Sequence, residues 1–105
     1  MTMKHKINLA LQVLPRAEGK NPYHLVDKAI EIIEKSGVTY QVCPFETVME
    51  GSYEELMEVV KKVHEACYEA GTETMMTYIK IQSSANGDVT IDDKMEKYKW
   101  ATCNW

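Results

Sequence analysis

The chain has 105 residues, with twelve Lys and Arg against sixteen Asp and Glu, a net charge of −4. That balance argues against a nucleic-acid binder, whose affinity rests on clustered basic charge. Hydrophobic residues at 45% and charged residues at 27% match an ordinary folded domain, and no apolar run is long enough to span a bilayer. We read residues 1–105 as one domain. A chain of this size buries only about 65% of its unfolded surface, so it has little core from which to carve a deep private pocket. A cleft at or near a subunit interface is the economical place for a small-molecule site.

The first segment, MTMKHKINLALQVLP, places basic residues before an apolar stretch, as a signal peptide does. Asn8 and Gln12 interrupt that stretch and no small-residue cleavage site follows, so it reads as a first strand, and three dispersed cysteines suit a reduced, cytoplasmic protein. Ile7 to Leu14 alternates Ile7, Leu9, Leu11 and Val13 with Asn8, Ala10 and Gln12, and Pro15 is expected to end it. Asn21-Pro22 starts a helix whose buried stripe is Leu25, Val26, Ala29, Ile30 and Ile33, and Gly37 stops it. Val38 to Cys43 is β-rich, Pro44-Phe45-Glu46 is a turn, and Thr47 to Glu50 is a short strand.

Ser52-Tyr53-Glu54-Glu55 is a capping box. The helix it opens carries Leu56, Val59, Val60, Val63, Cys67 and Ala70 on one stripe and ends at Gly71. A long strand from Thr72 to Ser84 follows, with Met75, Thr77, Ile79 and Ile81 opposite Met76, Tyr78, Lys80 and Gln82. Asn86-Gly87 is a turn, Val89-Thr90-Ile91 is extended, and Asp92 to Lys99 forms a short C-terminal helix.

Strand–helix–strand occurs twice in this order, which is the α+β, ferredoxin-like βαββαβ sandwich: a four-stranded antiparallel sheet with both helices on one face. The other face stays open and carries Ala10, Gln12, Leu14, Met76, Tyr78 and Lys80. That mixture is too apolar for a solvated surface and too polar for a core. It predicts a homo-oligomer packed through sheet faces.

Ferredoxin-like domains host many functions, so residues must decide. Cys43, Cys67 and Cys103 are too dispersed for a disulfide framework or a zinc site, and His5, His24 and His64 share no helix face. The loop from Arg16 to Asn21 lacks the cysteines of a soft-metal carrier, and one Phe with an acidic balance does not make an RNA-reading sheet. No phosphate loop and no nucleophile motif is present. What remains is Pro44-Phe45-Glu46-Thr47-Val48-Met49-Glu50-Gly51, where a hydroxyl and a carboxylate precede a helix N-terminus. Glu50 also suits the positive end of that helix, and Thr47 suits any strand.

With Pro44, Thr47, Glu50 and Gly51 as Pro-x-x-Thr-x-x-Glu-Gly, this segment resembles the small thiamine-binding and hydroxymethylpyrimidine-binding proteins. Val13-Leu14-Pro15, the helix beginning near Tyr23, and Val89 to Lys94 are similar to other parts of that family, so the likeness runs from Ile7 to Tyr98. The resemblance implies a ferredoxin-like protein without catalytic activity or cofactor, forming dimers that pair into tetramers. It also implies a pyrimidine ligand, thiamine or its hydroxymethylpyrimidine precursor. An aminopyrimidine needs a flat apolar slot with a few placed polar groups. Phe45, Tyr40 and Tyr78 (or Met76) are the candidate walls, and Thr47, Glu50 and Gln12 the candidate polar contacts. Strict alternation sets Thr47 and Glu50 on opposite faces, so a shared site requires a bulge or a contribution at the strand's end. The alternatives are a barrel enzyme acting on a small aromatic, with Tyr78 as acid or base, and a regulatory protein-interaction module.

Overall fold

The computed structural model describes residues 4–101. Its elements are β1 (Ile7–Arg16), α1 (Pro22–Ser36), β2 (Thr39–Val42), β3 (Thr47–Gly51), α2 (Tyr53–Glu69), β4 (Thr74–Gln82) and α3 (Ile91–Met95), followed by a 3-10 segment over Glu96–Ala101. The four strands run in the order β2-β3-β1-β4 and every pairing is antiparallel. This is the ferredoxin-like α+β sandwich.

Local chemistry sets the helix ends. Asn21 accepts a hydrogen bond from the Tyr23 amide at 2.9 Å, and Pro22 occupies the first turn, where no N–H is needed. Gly37 closes α1 at φ +80°, a left-handed turn that a side chain would strain. Ser52 Oγ accepts from the Glu55 amide at 3.1 Å, a cap that contributes about 1 kcal/mol. On the outer face of α1, Lys35 bonds Glu31 at 2.8 Å and holds its carboxyl below the usual range.

The amphipathic stripes of both helices meet the odd-numbered face of β1. Ile7, Leu9 and Leu11 of the sheet, Ala29 and Ile33 of α1, and Leu56, Val60, Val63 and Cys67 of α2 form the core. Burial pushes the Cys67 thiol up, so it stays protonated among apolar neighbours. Cys103, Trp105 and the side chain of Trp100 lie outside the described residues.

One boundary differs from the sequence reading. β1 does not stop at Pro15; it pairs with β4 as far as Arg16, with Pro15 opposite Met75. The reason is the missing third strand. β3 pairs with β1 only from Ile7 to Leu11, so the upper half of β1 has β4 on one side and no strand on the other. The Arg16 carbonyl accepts from the Glu73 amide at 2.9 Å, which aims the backbone polar groups of Pro15 at the free side. A proline there deprives no ladder of a donor.

The other difference concerns the C-terminal segment. Thr90 is extended but belongs to no strand, and it caps α3 through the Asp93 amide at 3.1 Å. Residues 88–91 are clasped to the lower end of the sheet. The Lys6 amide donates to Asp88 Oδ1 at 2.8 Å, Asn8 Nδ2 donates to the Val89 carbonyl at 3.0 Å, and the Ile91 amide donates to Glu50 Oε1 at 2.7 Å.

Candidate functional site

The free edge of β1 shapes one concavity. β2 and β3 are joined by the loop 43–46, closed by a 3.0 Å bond from the Cys43 amide to the Glu46 carbonyl. Because β3 ends opposite Leu11, this loop projects alongside the upper half of β1 without pairing to it. The gap beneath the first turns of α1 is a cavity of about 230 Å³, bordered by Gln12, Leu14, Tyr23, Phe45, Glu46 and Thr47 around an apolar floor from α1. Since it opens at a sheet edge, residues of both sheet faces reach it: Leu11 and Val13 from the helix side, Gln12 and Leu14 from the open side.

Two aromatic rings flank this slot and contribute little to the fold. Tyr23 is 79% and Phe45 82% exposed. The Asn21 cap fixes the backbone of Tyr23, and the hairpin loop holds Phe45. Thr47, by contrast, is buried at the slot's inner end, directly opposite Leu11. Glu46 is the one acidic residue on the lining. Its carboxylate lies 3.1 Å from Lys80 Nζ, and Lys80 is largely exposed. Such a surface pair is worth less than about 1 kcal/mol, so a cationic or amine-bearing ligand can replace the lysine at small cost. A flat ring with a polar edge matches this arrangement: apolar walls, one buried hydroxyl, one amide and one carboxylate.

The sequence model of the family described as thiamine-binding protein matches residues 9–99. The chain belongs to the thiamine-binding protein family. It is 45% identical to a UPF0045 protein of Clostridium perfringens over 92 residues, covering 88% of this chain and 96% of that one. Among solved structures, a domain of unknown function from Bacillus cereus superposes with a TM-score of 0.87 at 42% identity, covering 90% of this chain and 91% of that one. A Thermotoga maritima protein, assigned provisionally by its name to thiamine biosynthesis or salvage, superposes with a TM-score of 0.81 at 31% identity, covering 90% and 99%.

Within this member of the thiamine-binding family, the slot brings together Gln12, Phe45 and Thr47 of the six residues singled out from sequence. Tyr78 lies beside it, opposite Gln12 on the open face, with its hydroxyl donating to Met76 Sδ at 3.0 Å. Tyr40 is opposite Met49 and packs against the core, away from the lining. Glu50 is also apart. The β1–β3 register is continuous and contains no bulge, so Glu50 and Thr47 point to opposite faces, about 10 Å apart along the strand. The Glu50 carboxylate holds the Ile91 amide instead.

Two lining residues escape the sequence reading. Glu46 lies in the singled-out segment but was read there only as part of its turn, and Tyr23 only as a helix start. The usable signal for Tyr23 was an aromatic following a proline, in the first turn of α1, just as Phe45 follows Pro44 in the hairpin loop. His64 is half-buried: Nδ1 meets the Val60 carbonyl at 2.9 Å and Nε2 meets Thr77 Oγ1 at 2.8 Å. No group of three metal-ligating side chains occurs among the described residues, and among them no helix is long and apolar enough to cross a membrane.

Proposed function

We propose that this protein is a non-enzymatic, cytoplasmic binder of thiamine or its hydroxymethylpyrimidine precursor, with the pyrimidine seated in the slot at the free edge of β1. The observation that carries this reading is the convergence of Gln12, Glu46 and Thr47 between two exposed aromatic rings. Three polar groups suit the edge of an aminopyrimidine, whose amine donates and whose ring nitrogens accept. Calorimetric titration with thiamine, its phosphates and hydroxymethylpyrimidine gives saturable binding. Thr47→Ala weakens it about tenfold, the value of one hydrogen bond to a desolvated polar group. Flat titrations with all of these ligands overturn the proposal.

The reading includes self-association through the upper sheet face. Leu14, Met76 and Tyr78 are about half exposed there and adjoin Gln12, so a second copy would wall the open side of the slot. Sedimentation velocity then gives a dimer or tetramer that Met76→Glu shifts toward monomer, because a charge placed in an apolar seam loses its water. A monomer at all concentrations removes this part of the reading.

A further inference from the structure

The slot does not end at Leu14. A second, shallower trough of about 940 Å³ continues along β1 toward Arg16 and β4. The two concavities share Val13, Leu14, Tyr23 and Val26, so they adjoin: the first lies at the free edge of β1, and the second lies over the upper β1–β4 pair. Their charges differ in sign. Glu46 is the only charged residue of the first, and Arg16, the chain's only arginine, is the only charged residue of the second.

Among the described residues, nothing accounts for the Arg16 guanidinium. It forms no ion pair among the described residues. The nearby Glu73 amide uses only the Arg16 backbone carbonyl, and the Glu73 carboxylate is engaged by the Glu18 amide at 2.6 Å. A planar fork of donors left free at the end of an apolar groove suits a phosphate, which it can meet with two parallel bonds. The spacing is also suitable. Extending the β1–β3 register places the Glu46 backbone level with Gln12, four residues from Arg16, or about 13 Å between the two backbone positions along the strand. Two linked small rings with a short phosphorylated arm fill such a length.

We propose that slot and trough are one bipartite site, which takes a planar heterocycle beside Glu46 and its phosphate ester at Arg16. This inference rests on the pyrimidine reading above for the occupant of the slot, and adds the class of ligand: the phosphorylated form over the free alcohol.

The experiment is a comparison of affinities for thiamine and thiamine monophosphate in the wild type, Arg16→Gln and Arg16→Lys. The wild type favours the phosphate about tenfold, the value of one charge-assisted contact at a partly exposed site. Arg16→Gln brings the ratio close to one, and Arg16→Lys keeps part of it. The preference also shrinks as salt is raised. Equal affinity for the two forms in the wild type, or a ratio unmoved by Arg16→Gln, overturns the inference while leaving the pyrimidine reading intact. A parallel arm uses 4-methylumbelliferyl phosphate and its parent alcohol, planar rings with no pyrimidine chemistry. If these show the Arg16-dependent preference while thiamine and hydroxymethylpyrimidine do not bind, the phosphate subsite stands and the pyrimidine reading falls. If no phosphate ester binds, the inference falls whatever the other ligands do.

Discussion

Leu9→Ala lowers the unfolding free energy by about 3 to 4 kcal/mol, the range for truncating a fully enclosed leucine. Leu9 is entirely buried and sits on the central strand β1, paired with Met49 on one side and Ile81 on the other. Both helices pack on its face of the sheet, so no mobile neighbour can fill the hole it leaves. A domain of this size has roughly 5 to 15 kcal/mol in total, and the loss takes a large share of it. Urea unfolding reads the change as a lower midpoint at constant slope. Tyr68→Ala provides the contrast. Tyr68 is on α2 but about half exposed, so its truncation costs less than about 1 kcal/mol. Equal costs for the two variants would displace Leu9 from the centre of the core.

The strand pattern around Leu9 was legible because alternation alone decides which side chains face the helices. The same rule assigned Met75, Thr77, Ile79 and Ile81 to one face of β4 and Met76, Tyr78 and Lys80 to the other, as the register shows. Caps were legible too, since Asn21-Pro22 and Ser52 act within one turn of chain. Pro15 was not. A missing N–H ends a strand only if a neighbouring strand requires it, and whether β3 reaches that far is a tertiary fact.

The site was half legible for a similar reason. Thr47 was singled out on the family likeness of the Pro44–Gly51 segment, Gln12 on the open face of β1 and Phe45 as an aromatic wall, and all three line the slot. The relation of Thr47 to Glu50 turned on the presence of a bulge, and only pairing with β1 settles that; the register runs without one. The carboxylate of Glu50 meets an amide 41 residues later, a partner that no local pattern announces. Tyr23 and Glu46 were passed over because each has an adequate local role, one in a helix start and one in a turn. Their shared cavity exists only once α1 folds across the sheet edge.

Tyr23→Ala combined with Phe45→Ala lowers affinity for the pyrimidine ligand about a hundredfold while leaving the unfolding midpoint nearly unchanged. Each ring contributes apolar area and, stacked on a planar ligand, about 0.5 to 1.5 kcal/mol beyond that area. One ring is therefore worth about tenfold, and two rings acting on the same ligand multiply. Stability is spared because both side chains are about four-fifths exposed and touch little of the core. The dissociation of the two effects is the informative part. A core residue would lose stability and binding together, whereas a ring held out in water from each wall of a slot has binding as its only large contribution. Calorimetric titration of the two single variants and the double variant completes the cycle. If neither single variant nor the double variant binds the pyrimidine more weakly than the wild type, the rings do not hold the ligand and the slot is not where the pyrimidine sits. A fall in the unfolding midpoint equal to that of Leu9→Ala would return both rings to a structural role.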